Sequence, residues 1–177
     1  MKQPIFLVGY MAAGKTSLGR YAAKRLGREF IDLDKYIEAR FRQSISDLFA
    51  TKGEAAFREI ERNMLHEVAE FDNVLVATGG GTPCFFDNMS YMNECGVAIF
   101  LSCSVEVICH RLKIAKVKRP LVEGCMPQEL HQKVTAMLDE RMPYYTQAQY
   151  TFQADEYDKA AALALATEHL REIIDSL

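Results

Sequence analysis

Short apolar runs alternate with longer amphipathic stretches along this chain. The apolar runs contain many β-branched and aromatic residues, as do strands that are buried inside a parallel sheet. The pattern predicts strands over residues 5–8, 29–34, 73–77, 96–103 and 150–154.

The amphipathic stretches predict helices between these strands. In the first of them, Leu18, Ala22 and Leu26 recur at four-residue steps, and Gly27 follows as a typical C-terminal glycine. Ser104 is suited to cap a later helix, while Pro127 is suited to begin another. We expect the helix that begins at Pro127 to end before Pro143. The predicted helices cover residues 16–27, 35–43, 45–50, 53–71, 105–113, 127–142 and 156–174.

This alternation predicts a doubly wound α/β fold, with a five-stranded parallel sheet and helices on both of its faces. The 177 residues match the usual length of one domain, so we expect residues 1–177 to form a single domain. Ligands of such sheets bind at the carboxyl ends of the strands, and candidate chemistry is expected there.

The segment "VGYMAAGKTS" joins the first predicted strand to the first helix. Its spacing, Gly9 and then Gly14-Lys15-Thr16 after four residues, matches a P-loop. The loop amides and the helix dipole would bind phosphate, Lys15 would contact the β- and γ-phosphates, and Thr16 would bind Mg²⁺. A plain turn between strand and helix is the alternative. The candidate ATP-binding residues are Ala12, Ala13, Gly14, Lys15, Thr16 and Ser17.

Ala12 stands where P-loops of this kind usually have a further glycine. The extra methyl group is tolerable if the φ angle there is negative, so this is a mild departure from the pattern.

The second predicted strand ends in "IDLD". Because side chains alternate along a strand, Asp32 and Asp34 should point to the same side. Two neighbouring carboxylates repel each other unless they share a cation or a proton. We assign Asp32 to the Mg²⁺ shell through water, and Asp34 to the acceptor hydroxyl as a base or orienting group. An aspartate-rich turn that caps the next helix is the alternative.

The third predicted strand ends in "TGGG", which contains Gly79, Gly80 and Gly81. Three consecutive glycines have a high entropic cost, and what they permit is close approach of a small ligand to the main chain. A turn with positive φ is the alternative explanation.

Two arginines remain ambiguous from spacing alone. Arg58 could be a surface partner of Glu54 or Glu61 on the same helix. Arg141, near a helix end, could interact only with the helix dipole.

The basic stretch "LKIAKVKRPLVEG" has no helical or strand period. A kinase needs a cation near the transferred phosphoryl group and a lid that excludes water. We therefore predict a mobile lid at about residues 112–126, with Arg119 as the phosphoryl-neutralising group and the lysines in solvent.

Composition limits the remaining possibilities. The net charge of −3 and a pI near 5.8 argue against a broad nucleic-acid surface. The five cysteines form no CxxC pair and have no zinc-like spacing, and their odd number suits reduced thiols in a cytosolic setting. No signal peptide or membrane span is expected.

Together the motifs resemble those of the shikimate kinases, in the nucleoside-monophosphate-kinase-like class of P-loop proteins. The resemblance extends from Ile5 to the last helix, with the motifs in the family's order and at closely matching separations. The matching segments are "GYMAAGKTS", "IDLD", "LFATKGEAAFREIE", "ATGGGT", "KRPL" and "RMPYY".

The resemblance implies roles for residues that spacing left ambiguous. Arg58 and Arg141 become carboxylate clamps for shikimate, a role that suits a planar guanidinium. A substrate-binding helical region would cover about residues 35–62, with Phe49, Phe57 and Glu61 shaping the pocket. The implied shikimate-binding residues are Asp34, Arg58, Gly79, Gly80, Gly81 and Arg141.

On the nucleotide side, the resemblance implies that Arg111 lies over the adenine and that Arg119 belongs to the lid. Lys15, Asp34 and Arg119 are then the catalytic candidates. The implied reaction transfers the γ-phosphoryl group of ATP, with Mg²⁺, to the 3-hydroxyl of shikimate. Enzymes of this family are usually monomeric and cytoplasmic and serve aromatic amino-acid biosynthesis.

Two alternatives stay open at this point. A related kinase, such as one acting on gluconate, should lack the paired arginines of "GEAAFR" and "RMPYY". A nucleotide-dependent switch would not need "IDLD" and "TGGG" to face each other across a pocket.

Overall fold

The parallel sheet is the centre of the computed structural model, which describes residues 3–114, 126–157 and 159–176. Within these residues, five strands lie in the order β2-β3-β1-β4-β5, and every neighbouring pair is parallel. The doubly wound α/β fold is therefore confirmed. The strands are β1 Ile5–Val8, β2 Glu29–Asp32, β3 Val74–Ala77, β4 Val97–Ser102 and β5 Tyr150–Gln153.

Helices cover the sheet, with α1 against α7 and α3 against both α2 and α4. In the described residues they are α1 Lys15–Leu26, α2 Leu33–Phe41, α3 Ile45–Ala69, α4 Asn88–Cys95, α5 Val105–Ile114, α6 Pro127–Tyr145 and α7 Ala160–Asp175. A short 3₁₀ helix occupies Thr82–Cys84. Among these described helices, none combines the length and the apolar character needed to cross a membrane.

The core explains why the central strands contain apolar residues without interruption. Every residue of β1 and β3 is buried, since helices cover both faces of these two strands. Phe6 of β1 lies between Val76 of β3 and Ala98 of β4 in the ladder. This rigid centre fixes the loops that follow each strand at one edge of the sheet.

Several predicted boundaries were correct and have the expected local cause. Gly27 ends α1 with a left-handed backbone at φ 62°, and the Ser104 hydroxyl accepts a hydrogen bond from the Val107 amide at the start of α5. The two helices predicted at 45–50 and 53–71 are joined as α3, but Gly53, at φ 78° and ψ 168°, interrupts the helical backbone between them.

The prediction for the second strand was wrong at its end. Strand β2 stops at Asp32, and α2 begins at Leu33, so Asp34 lies in a helical turn rather than in a strand. Asp32 caps this helix, because its carboxylate accepts a 3.3 Å hydrogen bond from the Lys35 amide. The capping alternative therefore describes Asp32.

Two helical features were not predicted. Helix α4 was missed, although Met89 and Met92 share one face of it and are buried. Helix α6 continues through Pro143 to Tyr145, whereas we expected it to end earlier. Tyr145 is fully buried and stacks on Phe100 at 5.2 Å, a contact that holds the final turn in place.

Candidate active site

The loop between β1 and α1 has the backbone of a phosphate-binding loop. Gly9 and Gly14 have φ angles of 137° and 102°, values that side chains rarely permit. A Cβ at Gly9 would also lie 2.7 Å from the Leu101 carbonyl oxygen. Ala12 has a φ angle of 63°, so the condition under which the methyl group would be easily tolerated is not met. The loop needs a left-handed turn at this position, and the chain adopts it despite the methyl group.

Lys15 is buried at the first position of helix α1. Its ammonium group donates hydrogen bonds of 2.7 Å to the Gly9 carbonyl and 2.8 Å to the Tyr10 carbonyl. The amine is thus held across its own loop, beside the helix N-terminus that attracts anions.

Thr16 and Asp32 meet at the ends of α1 and β2. The Thr16 hydroxyl donates a 2.8 Å hydrogen bond to Asp32 Oδ2. Asp34, one residue into α2, lines the same cavity as Thr16, Lys15 and Asp32. Asp32 and Asp34 do not share the cavity because of strand alternation, since Asp34 is not in a strand. The first turn of α2 brings Asp34 to the cavity instead.

The cavity has a volume of about 370 Å³ and lies at the carboxyl ends of the strands. Gly80 and Thr78 contribute its wall beyond β3, while Ile114 and Tyr157 line its outer part. The predicted site residues that line it are Ala12, Gly14, Lys15, Thr16, Ser17, Asp32, Asp34, Gly80 and Arg111.

The glycines that follow β3 are required for space. A Cβ at Gly79 would lie 2.9 Å from Asp34 Oδ1 and equally close to Glu61 Oε1, and one at Gly81 would lie 2.9 Å from Arg58 Nη1. None of the three glycines has a positive φ angle, so the turn alternative does not explain them. Asp34, Glu61 and Arg58 instead crowd against the bare backbone.

Arg58 is an internal residue rather than a surface partner. Its guanidinium donates at 2.8 Å to Glu61, which is 2% exposed, and at 3.2 Å to Glu54. Glu61 also accepts a 2.5 Å hydrogen bond from the Thr82 hydroxyl. The Nε atom of Arg58 is buried without a hydrogen-bond partner among the described residues.

Aromatic rings surround the Arg58 guanidinium. Its central carbon lies 4.0 Å from the Phe85 ring centroid, 5.5 Å from that of Phe49 and 5.4 Å from that of Phe57. Phe49 and Phe57 pack on each other at 4.2 Å. These rings desolvate the cation and limit its rotation.

Arg141 approaches the same glycine segment from helix α6. A Cβ at Gly80 would lie 3.5 Å from Arg141 Nη1, and the Arg141 guanidinium lies over the Tyr10 ring at 5.6 Å. Arg141 is therefore more than a partner of the helix dipole. The two arginines approach Gly80 and Gly81, which are adjacent in the chain.

Arg111 connects the phosphate loop to the segment after β5. It donates to the Ala12 carbonyl at 3.3 Å and to the Ala154 and Asp155 carbonyls at 2.9 Å each. It also contacts the Cys103 sulfur at 3.3 Å, and burial raises the pKa of that thiol to about 12. Arg119, predicted for the lid, lies outside the described residues.

Two residues at this site were missed by the sequence analysis. The Phe85 ring packs on Arg58, and the Tyr145 hydroxyl donates a 2.6 Å hydrogen bond to the Gly80 carbonyl. Phe85 follows the glycine segment closely in the chain, which could have suggested the contact. Tyr145 belongs to the "RMPYY" motif, but nothing in its spacing pointed to Gly80.

A phosphate-binding loop at the end of a parallel sheet, with Asp32, Asp34 and Arg111 lining the same cavity, is the arrangement of a P-loop kinase of small molecules. A family model described as shikimate kinase matches residues 11–176. The chain belongs to the shikimate kinase family, as its motifs predicted, and it is therefore an ATP-dependent kinase.

Individual relatives agree with this assignment. A shikimate kinase of Bacteroides thetaiotaomicron is 50% identical over 171 residues, which cover 97% of this chain and 98% of the relative. A crystal structure of shikimate kinase from the same organism has a TM-score of 0.94, with 98% of each chain covered. The shikimate kinase of Acinetobacter baumannii in complex with shikimate has a TM-score of 0.85 at 35% identity, covering 98% of this chain and 94% of that one.

Proposed function

We propose that this chain transfers the γ-phosphoryl group of ATP to the 3-hydroxyl of shikimate, giving shikimate 3-phosphate and ADP. The observation that carries the proposal is the glycine segment 79–81. The segment lies against Asp34, Arg58 and Arg141, and its central residue, Gly80, lines the cavity that also contains the phosphate loop. An acceptor with a carboxylate and hydroxyl groups matches two cations, a carboxylate and backbone amides that donate to no other described residue.

On the acceptor side, Arg58 and Arg141 bind the carboxylate of shikimate, and the amides of Gly79, Gly80 and Gly81 face its hydroxyl groups. Asp34 orients the 3-hydroxyl toward the γ-phosphorus and accepts its proton. Since Asp34 and Lys15 line one cavity, the acceptor and the phosphate chain can be held in line.

On the nucleotide side, the amides of Ala12, Ala13, Gly14, Thr16 and Ser17 bind the phosphates. Lys15 exchanges its two carbonyl contacts for the β- and γ-phosphate oxygens, and Arg111 packs on the adenine. The transition state of phosphoryl transfer is loose, with charge spread over the peripheral oxygens, so the protein acts by positioning and charge compensation. Arg119 completes that compensation in this proposal.

The residues beside Lys15 fit Mg²⁺. The Thr16 hydroxyl and the Asp32 carboxylate are hard oxygen donors 2.8 Å apart, and Mg²⁺ commonly takes few protein ligands together with phosphates and water. Thr16 would hold the ion directly and Asp32 through water. Bound Mg²⁺ supplies further charge compensation for the phosphoryl oxygens.

The family resemblance also supports a monomer in the cytoplasm that binds neither nucleic acid nor membrane. The net charge of −3 agrees with the absence of a broad nucleic-acid surface.

A coupled assay of ADP release from Mg·ATP tests the proposed reaction, with shikimate, gluconate or no acceptor. We expect strong stimulation by shikimate alone, and loss of that stimulation in a Lys15→Ala control. Equal, slow ADP release in all three conditions would favour a nucleotide switch. Stimulation by gluconate would favour a different acceptor.

A further inference from the structure

Tyr145 joins the last turn of helix α6 to the glycine segment after β3. Its hydroxyl donates a 2.6 Å hydrogen bond to the carbonyl oxygen of Gly80. Its ring is fully buried and stacks on Phe100 of β4, with centroids 5.2 Å apart and planes 24° from parallel. The hydroxyl is therefore fixed relative to the sheet, independently of any ligand.

A hydrogen bond to the Gly80 carbonyl orients more than that one oxygen. The peptide unit is planar, so the Gly81 N–H points away from the Gly80 C=O and turns with it. Neither the Gly80 nor the Gly81 N–H donates to another residue in the described part of the chain. The direction of a donor that has no partner among the described residues is thus coupled to the position of Tyr145.

A segment of three glycines needs such a restraint. Glycine has more accessible backbone conformations than other residues, so consecutive glycines leave the directions of their peptide groups poorly determined. Gly80 also lies between the two halves of the site, with a Cβ there 3.2 Å from the Met11 amide and 3.5 Å from Arg141 Nη1. Rotation of this peptide group would therefore disturb the acceptor wall.

We propose that Tyr145 is a positioning residue for the acceptor: its hydroxyl, by holding the Gly80 carbonyl, sets the direction of the peptide groups that face shikimate. This inference rests on the proposed function. It predicts an effect on acceptor binding that is separate from nucleotide binding, because the phosphate loop receives no hydrogen bond from Tyr145 in the described structure.

The neighbouring residue offers a matched control. Tyr144 lies on the same helix but is 38% exposed. Tyr144→Phe removes an identical hydroxyl group from the protein without touching the glycine segment. Tyr145→Phe keeps the ring and its stack on Phe100, so the two variants differ only in which hydroxyl is lost.

Steady-state kinetics of the wild type and both variants, with shikimate and ATP varied in turn, test the proposal. For Tyr145→Phe we expect the KM for shikimate to rise about threefold to tenfold, the change that matches one lost hydrogen bond, with the KM for ATP unchanged. The NMR order parameters of the Gly79, Gly80 and Gly81 amides should fall. Tyr144→Phe should match the wild type in both measurements.

The outcomes separate this inference from the proposed function. An unchanged KM for shikimate and unchanged order parameters in Tyr145→Phe would overturn the positioning role. Equal rises in both KM values, or loss of the fold, would make Tyr145 a packing residue and would also overturn it. If the wild type shows no shikimate-dependent ADP release, the proposed function itself fails, whereas the order parameters of residues 79–81 still report whether Tyr145 restrains the segment.

Discussion

Arg58 and Glu61 form a 2.8 Å ion pair on one face of helix α3, and the carboxylate is almost completely shielded from solvent. Each charge depends on the other, because an unpaired ion in such a place is strongly destabilising. The pair therefore contributes both to the stability of the fold and, in our proposal, to binding of the acceptor. A single substitution would change both properties at once.

Arg58→Ala should affect both properties. We expect the KM for shikimate to rise about 10- to 100-fold, since a charge-assisted contact is lost in the ground and transition states alike. The free energy of unfolding should fall by about 3–5 kcal/mol, because Glu61 is left buried without its cation. Kinetics and thermal unfolding measure the two effects separately.

The double variant Arg58→Ala/Glu61→Gln distinguishes the causes. The neutral amide can still accept the Thr82 hydrogen bond, so most of the stability should return while the high KM persists. Arg62→Ala removes another cation of α3, one that pairs with Asp87 before α4; it is the control and should leave the KM unchanged. A normal shikimate KM in Arg58→Ala would refute the clamp.

The Phe85 ring lies closer to the Arg58 guanidinium than either of the other two aromatic rings around it. Phe85→Leu keeps an apolar side chain but loses the cation–π contact, so we expect the KM for shikimate to rise about twofold to tenfold. Phe86→Leu is the control, because Phe86 is 50% exposed and packs on Arg62 instead. Equal effects of the two substitutions in steady-state kinetics would exclude a specific role for Phe85.

Ala12 has a backbone conformation that favours glycine, with φ at 63°. Ala12→Gly should raise the free energy of unfolding by about 1 kcal/mol, since relief of left-handed strain outweighs the added chain entropy. Ala13→Gly is the matched control: Ala13 is buried and has no positive φ, so glycine there should destabilise. Denaturant titration of both variants measures the difference, and destabilisation by Ala12→Gly would contradict the prediction.

The features that could be predicted from sequence are those with local causes. The strand, the loop and the helix around Lys15 follow one another in the chain, so spacing alone predicted a phosphate-binding loop there. Asp32 and Asp34 were correctly predicted to lie close together, but for the wrong reason. Alternation of side chains cannot distinguish the start of a helix after a short strand from two further strand residues.

The remaining features depend on contacts between distant parts of the chain. The hydrogen bond from Tyr145 to Gly80 joins α6 to the segment after β3, and no periodic pattern in the sequence predicts it. Arg58 was ambiguous because helical spacing explains its pairing with Glu61, whereas the approach to Gly81 appears only in the folded protein. The resemblance to a family implied a role for Arg58 that its spacing did not, and it implied none for Tyr145.

Asp155 gives a pH dependence with a defined sign. A hydrogen bond of 2.8 Å from the Ser104 amide, opposed by desolvation and assisted by Cys103 and Arg111, lowers the pKa of its carboxyl group below the ordinary value. The resulting stability is present above the unfolded-state pKa of about 4 and is lost as the pH falls through the lower pKa of the folded state.

Asp155→Asn should therefore flatten the acid side of the stability curve, since asparagine accepts the same hydrogen bond without titrating. Thermal unfolding from neutral pH to about pH 3 measures this slope. Glu156→Gln is the control, because that neighbouring carboxylate pairs with Lys159 and does not bond Ser104. Parallel curves for the wild type and Asp155→Asn would show that the Ser104 contact adds no pH-dependent stability.

Asp32 offers a direct test of the proposed Mg²⁺ site. Its carboxylate accepts hydrogen bonds from the Thr16 hydroxyl and from the Lys35 amide that begins α2. Asp32→Asn keeps the helix cap, since asparagine caps about as well, but removes the charge. We expect the Mg²⁺ concentration for half-maximal activity to rise about 10- to 100-fold, as when a residue that orients a metal-bound group is lost.

Asp47→Asn is the matched control, because Asp47 lies in the first turn of α3 and bonds Ser44 rather than the cavity residues. It should leave the Mg²⁺ dependence unchanged, and neither variant should alter the KM for shikimate. A higher KM for shikimate with a normal Mg²⁺ dependence in Asp32→Asn would mean that Asp32 acts on the acceptor rather than on the metal ion. Such a result would leave Thr16 without a carboxylate partner for the ion and would contradict the proposed site.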